Sequence, residues 1–369
     1  MDQEFFYRLL SCQGVSGRET NIQKTAAAYM EGFADEVRRE VNGNVTGILN
    51  PDSSFKILLA GHIDEIGLMV TDHTEEGFLR AARVGGITPR MYLGQKVRID
   101  TGKDLVYGAV ASSGELQKKE ELSDTDLVID IGAGNREAAR RHVPVGSGVV
   151  FDTDWRPLLG ECITSRALDD RSGAFIVMEA LRRAKEKKCR NGVYAVTTVG
   201  EETGFSGGAW AGAGIRPNMA VAVDVTFASD GPGGDDGVRG RVALGGGPGI
   251  CVGIMGHPVM NRILEQAAGR LDIRTQPVIT PGRTFTDTDA IHISGHGVPA
   301  ALVNLPLRYM HTPAEVCSLK DVRDCIELIS EFVQKLNRIR IRAEPERMRL
   351  LLIPVPVSLN RCKSLDRIY

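Results

Sequence analysis

Two stretches in which apolar strand-like runs alternate with helical segments flank a third, residues 66–157, that has almost no helical pattern. That interruption leaves few architectures open. An α/β sheet begins before the break and is completed after it, with a separate β-rich unit between. Before the break, residues 3–12 and 20–34 have helical apolar spacing on either side of the turn GVSGRE, and Lys56–Ala60 is a short apolar strand. After it, SGAFIVMEALRRAKEKK has an apolar face and a basic last turn that complements the helix dipole. The runs VYAVTTV, MAVAVDV and AALVNL read as strands, with further helices at 259–271 and 319–341. This alternation predicts a doubly wound, mostly parallel sheet with helices on both faces.

In the middle stretch, KVRID, YGAVAS and LVIDIG are short alternating runs broken by Gly, Asp and Thr clusters, and only residues 135–142 have a helical pattern. A small module of the β-barrel or PDZ-like kind is expected there. The expected division is 1–65 and 158–342 for the α/β domain, 66–157 for the insert, and 343–369 for a C-terminal tail, extended or disordered.

Charge narrows the partners. A formal net charge of −2, with both signs spread along the chain, favours neither nucleic acid nor an anionic membrane surface. No run approaches the roughly 18 apolar residues of a membrane span, and MDQEFFYRLL lacks the basic and apolar regions of a secretory signal. The seven cysteines are scattered singly with no C-x-x-C pair, which fits reduced thiols in a cytoplasmic protein.

Acids and histidines collect where the predicted strands end. They are His62 and Asp64 in GHIDE, Asp169 and Asp170 in RALDDRSG, Glu201 and Glu202 in TVGEETG, Asp224 in VAVDVT, and His311 in RYMHTPAE. Open α/β sheets bind ligands along that edge. Each group alone has a plainer reading: a satisfied polar histidine, an aspartate N-cap, a solvated glutamate loop, a turn aspartate. Together they form a nitrogen and oxygen donor set without cysteine, which suits Zn²⁺, Co²⁺ or Mn²⁺ in a catalytic site. A two-metal hydrolase needs a bridging carboxylate, terminal ligands for each ion and an unligated acid to move protons. That inventory is present.

The ordered motifs AGHIDEIGLMV, RVGGITPRMYLGQKV, LVIDIGA, RALDDRSG, TVGEETG, AVDVTFASDGPG and GVPAALVNLPLRYMHTPAE, followed by KDV, resemble the M42 family of metallo-aminopeptidases. That family includes the large tetrahedral aminopeptidases and proteins once labelled endoglucanases. The resemblance implies that His62 and Asp224 ligate one metal, Glu202 and His311 the other, and that Asp169 bridges the two. It further implies that Asp64 holds the imidazole of His62 and that Glu201 is the general base on a water bridging the ions. Two zinc or cobalt ions per subunit, short peptides as substrates, a dimer built through the insert and a dodecamer are implied with it. Departures from the family pattern lie elsewhere. GRTFTDTDA matches a Gly-Gly-Thr-Asp-Ala-like stretch only at Thr288, Asp289 and Ala290, and Arg283 in its lead-in reads as a surface residue. GICVGIMGHP lacks an acid often found there, and ASSGELQKKEEL replaces a proline-containing turn. Competing readings are a metal-dependent deacylase or amidase acting on N-acylated substrates, a metal-free glycosidase with two carboxylates, and a non-catalytic relic of the fold.

Overall fold

The computed structural model describes residues 1–234 and 240–342; the tail expected after residue 343 lies outside them. The chain opens with α1 (Gln3–Ser11) and α2 (Thr20–Met30), followed by β1 (Glu36–Arg39), β2 (Val45–Leu49) and β3 (Lys56–His62). A second unit holds β4 (Gly67–His73), β5 (Leu79–Val84), β6 (Lys96–Asp100), β7 (Leu105–Val110), α3 (Gly114–Lys118), β8 (Val128–Asp130), α4 (Arg136–His142) and β9 (Gly148–Phe151). The chain then returns through β10 (Arg156–Pro157), β11 (Cys162–Ser165), α5 (Leu168–Glu186), β12 (Gly192–Thr198), α6 (Ser206–Ile215) and β13 (Met219–Phe227). It continues with β14 (Gly249–Gly253), α7 (Pro258–Leu271), β15 (Gln276–Thr280), α8 (Asp287–His292), β16 (Ala300–Arg308), β17 (Glu315–Ser318) and α9 (Leu319–Arg342).

The centre of the large sheet is parallel, in the order β12-β3-β13-β16, and these strands are the buried apolar runs that the sequence marks. Both edges run antiparallel, through β2 and β1 on one side and β17, β11 and β10 on the other. Successive strand residues face opposite ways, and the two faces bury different helices. Ile57 and Leu59 of β3 join a core with α1, α2, α5, α7 and α9, while Leu58 and Ala60 meet Ala211 of α6 and Ile291 of α8. Aromatic stacking fixes the N-terminal helices: Phe5 lies on Tyr29 at 3.6 Å between ring centres, and Phe6 on Phe175 of α5 at 4.7 Å.

Between β3 and β10 the second unit closes into a barrel, β4-β5-β8-β7-β6-β9. Its core is its own, built on Leu68, Val70, Val97, Ile99, Ile129 and Val149, with Tyr92 stacked on Phe151 at 4.1 Å. Two details differ from the sequence reading. α2 stops at Met30 rather than residue 34, giving way to a turn that contains Gly32. The insert holds a second helix, α3, besides α4; five residues long and burying none, it has no apolar face for a periodic pattern to reveal.

Candidate metal centre

The C-terminal ends of the parallel strands carry the candidate residues because the pairing register brings them level. Thr198 of β12 pairs with His62, the last residue of β3, and Ala222 of β13 pairs with Ala60, which sets Asp224 opposite His62. α5 approaches β3 closely at two glycines. A Cβ on Gly61 would stand 2.5 Å from the main-chain carbon of Gly173, so no side chain fits there. This approach delivers the start of α5, and Asp169 with it, to the end of β3.

The adjacent aspartates then separate. Asp170 turns into the protein, where it is fully buried and accepts the N–H of Gly173 at 2.9 Å, the helix-capping role expected of such a pair. Asp169 faces the strand ends; Nε2 of His62 lies 3.1 Å from its Oδ1 and Nε2 of His311 3.0 Å from its Oδ2. Two groups of donors result, each with its ligand atoms within 4.8 Å of one another: His62, Asp169 and Asp224, and Asp169, Glu202 and His311. Glu201 belongs to neither. Its Oε2 stands 3.7 Å from Nε2 of His62.

Both histidines are oriented alike. Nδ1 of His62 is 3.1 Å from the main-chain carbonyl of Asp64, and Nδ1 of His311 is 2.9 Å from that of Gly86. With an N–H donated to each carbonyl, both Nε2 atoms face Asp169: protonated, they donate to its carboxylate, and deprotonated, they are free to ligate a cation. The Asp64 carboxylate is farther from His62, at 3.5 Å. It also accepts the Ser16 hydroxyl and the main-chain N–H of Glu201 and of Glu202, each at 3.3 Å. Asp64 therefore fixes both glutamates as well as the imidazole.

Electrostatics make this donor set costly without a cation. Burial, with repulsion from Asp224, Asp287 and Glu202, pushes the Glu201 carboxyl up to about 11. Burial and Asp169 push Glu202 and Asp224 each up to about 8. Burial alone would raise Asp169 too, but hydrogen bonds from His311 and His62 hold it below the usual carboxylate range. Burial opposes charging His311, yet the same bond to Asp169 raises it to about 10. One buried oxygen, Oε1 of Glu202, has no hydrogen-bond partner. Crowded carboxylates that resist ionisation and an orphaned acceptor are satisfied together by divalent cations, which favour ionised carboxylates and neutral imidazoles. The residues fit metal.

Several supporting residues had no place in the sequence reading. Glu315, 2% exposed, accepts the N–H of His311 at 2.9 Å and that of Asp169 at 3.2 Å, tying the two segments together. Its position four residues after His311 was the available signal. Glu65 is gripped by Arg166 and by Arg171, the latter at 2.5 Å, with all three side chains buried. Arg283, by contrast, was read from the sequence as a surface residue; it is 61% exposed and lies over the rings of Phe205 and Phe285, with Nε 3.2 Å from Asp289.

A profile of the family described as M42 glutamyl aminopeptidase matches residues 43–328. A putative aminopeptidase of Acetivibrio thermocellus is 35% identical over 341 residues, covering 90% of this chain and all of its own length. Among solved structures, the TET aminopeptidase of a marine-sediment Thaumarchaeota archaeon superposes with a TM-score of 0.85 at 31% identity, over 92% of this chain and 98% of that one. The Pyrococcus horikoshii TET1 peptidase, described as assembling into a tetrahedron or a large octahedral shell, has a TM-score of 0.80 at 29% identity, over 90% and 98% of the two chains. Fold, donor set and family match agree, and the chain belongs to the M42 family of aminopeptidases.

Proposed function

We propose that this protein removes N-terminal residues from short peptides at a centre of two divalent cations, zinc or cobalt, with manganese also able to serve. The observation that carries the reading is the pair of donor groups joined at Asp169, with Glu201 beside them and in neither. His62 and Asp224 would hold one cation, Glu202 and His311 the other, and Asp169 both. Bound there, the cations supply Lewis acidity, polarising the scissile carbonyl and making water a stronger acid. Glu201 takes the proton from the attacking water and passes it to the departing amine nitrogen. The acids that remain, Asp287 among them at 3% exposure, give the pocket the negative potential that draws a free α-ammonium group. Self-association to a dimer and a dodecamer extends the reading, on the precedent of the PhTET1-12s dodecamer and of the shells described for the P. horikoshii TET1 peptidase. A cytoplasmic location is part of it: the six described cysteines are all unpaired, and no described helix is long and apolar enough to cross a membrane.

The test is chelation followed by reconstitution, assayed on aminoacyl and N-acyl-aminoacyl chromophores. Activity on the free-amine substrates should vanish and return with Zn²⁺, Co²⁺ or Mn²⁺. Full activity in metal-free protein, or turnover of the N-acylated series alone, overturns the proposal.

A further inference from the structure

The barrel contributes none of the donor residues, yet one of its loops reaches them. After β5 the chain runs through Gly85, Gly86 and Ile87 and lies against the group formed by Asp169, Glu202 and His311. The carbonyl of Gly86 accepts from Nδ1 of His311 across 225 residues of sequence. A Cβ on Gly86 would come within 3.2 Å of that nitrogen and 3.3 Å of Cε1. Gly85 has φ +80°, and a Cβ there would meet Ile66 at 2.7 Å and the Glu202 side chain at 3.4 Å. A side chain at Gly85 is strained by both backbone and space, and one at Gly86 would push the His311 ring by a few tenths of an ångström. Ile87, 2% exposed, then buries itself in the barrel core and fixes the loop to that unit.

His311 needs such support more than His62 does. Its side chain is 31% exposed against 2% for His62, so packing restrains it less. It sits on left-handed backbone at φ +63°, a conformation held only when its surroundings dictate it. Glu315 secures its main-chain nitrogen from within the α/β unit, but the ring is set by the barrel. His62, by contrast, donates to the carbonyl of Asp64, two residues along the same chain segment.

We infer that the Gly85–Ile87 loop is a positioning element of the metal centre, so that cation binding by Asp169, Glu202 and His311 depends on the docked barrel while binding by His62, Asp169 and Asp224 does not. The inference rests on the two-cation reading of the site. It assigns the barrel a part in building one half of the centre, in addition to any part in assembly.

The experiment is titration of chelator-stripped protein with Zn²⁺ against a competing chromophoric chelator, counting equivalents and affinities. Wild type should bind two equivalents per chain; fewer would count against the proposed function itself. Gly86→Ala should leave one equivalent unchanged and weaken the other by about 10- to 100-fold, the usual effect of disturbing the partner of a ligating histidine. Ile87→Ala, which loosens the loop without adding an atom beside His311, should act in the same direction and keeps the test available if Gly86→Ala does not fold. In a His311→Ala background, Gly86→Ala should cause no further loss. Two equivalents at wild-type affinity in the folded variants, equal weakening of both, or additive loss in the double variant would each overturn the inference.

Discussion

His62 and His311 face each other across a single carboxylate, that of Asp169, with Nε2 of the first 3.1 Å from Oδ1 and Nε2 of the second 3.0 Å from Oδ2. The two donor groups therefore share one member. Asp169→Asn should deprive both of charge and leave the protein with little bound metal, whereas His62→Ala and His311→Ala should each lose about one equivalent. Elemental analysis of the three dialysed variants decides this. One full equivalent retained in Asp169→Asn would show that the carboxylate is not shared.

Glu201 and Glu202 are adjacent, and the proposed function gives them different work. Only Glu202 belongs to a donor group, and its Oε1 accepts no hydrogen bond, with Nε2 of His311 at 3.6 Å. Glu202→Gln should lower metal content and activity together. Glu201→Gln should keep its metal and lose turnover by about two to four orders of magnitude, because the amide cannot accept a proton. Wild-type turnover in Glu201→Gln would rule the base assignment out.

The Glu65 carboxylate lies between two buried guanidinium groups. Removing it strands Arg166 and Arg171, 2% and 0% exposed, without a counter-charge. Glu65→Ala should cost about 3–5 kcal/mol of stability, the usual penalty for breaking a buried ion pair from one side. Urea denaturation measures it. A loss below about 1 kcal/mol, the range of surface pairs, would mean that water reaches the arginines.

Glu19 gives a pH signature of its own. Burial, aided by the charge of Asp64, raises its carboxyl from 4.5 to about 7, although the Gly17 N–H donates to it at 2.7 Å. Between those two values the unfolded chain releases the proton while the folded one retains it. Its contribution is thus present below pH 4.5 and lost as pH rises through about 7. Glu19→Gln should be more stable than wild type at pH 8 by on the order of 2 kcal/mol, with the gap closing towards pH 4.5. A gap that stays constant from pH 5 to pH 8 would refute this.

What the sequence disclosed follows from what each element buries. β3, β12, β13 and β16 sit inside the sheet, and their continuous apolar runs were legible. β1 lies on an edge with the half-exposed pattern EVRR, and α6, SGGAWAGAGI, is too rich in glycine to show a helical period; neither was foreseen. The clustered acids and histidines stand out in the sequence because strand ends concentrate them, and Asp64 stands out beside His62. Other contacts around them do not. The carbonyl of Gly86 carries no side-chain signal, and its partner lies in another unit. Arg166 and Arg171 read as ordinary charges flanking the aspartate pair until folding encloses Glu65 between them.

The barrel's closure also bears on how the rest of the chain finds its partners. β4 and β9 pair directly, Leu68 opposite Val149 and Met69 opposite Gly148, so the first and last strands of the barrel end side by side. Once that pairing forms, a detour of roughly 80 residues behaves towards the large sheet as a short connection, and the chain entropy of joining β3 to β12 and β13 falls accordingly. A barrel that folds early would then speed assembly of the sheet that carries the chemistry, and a substitution slowing the barrel would delay both.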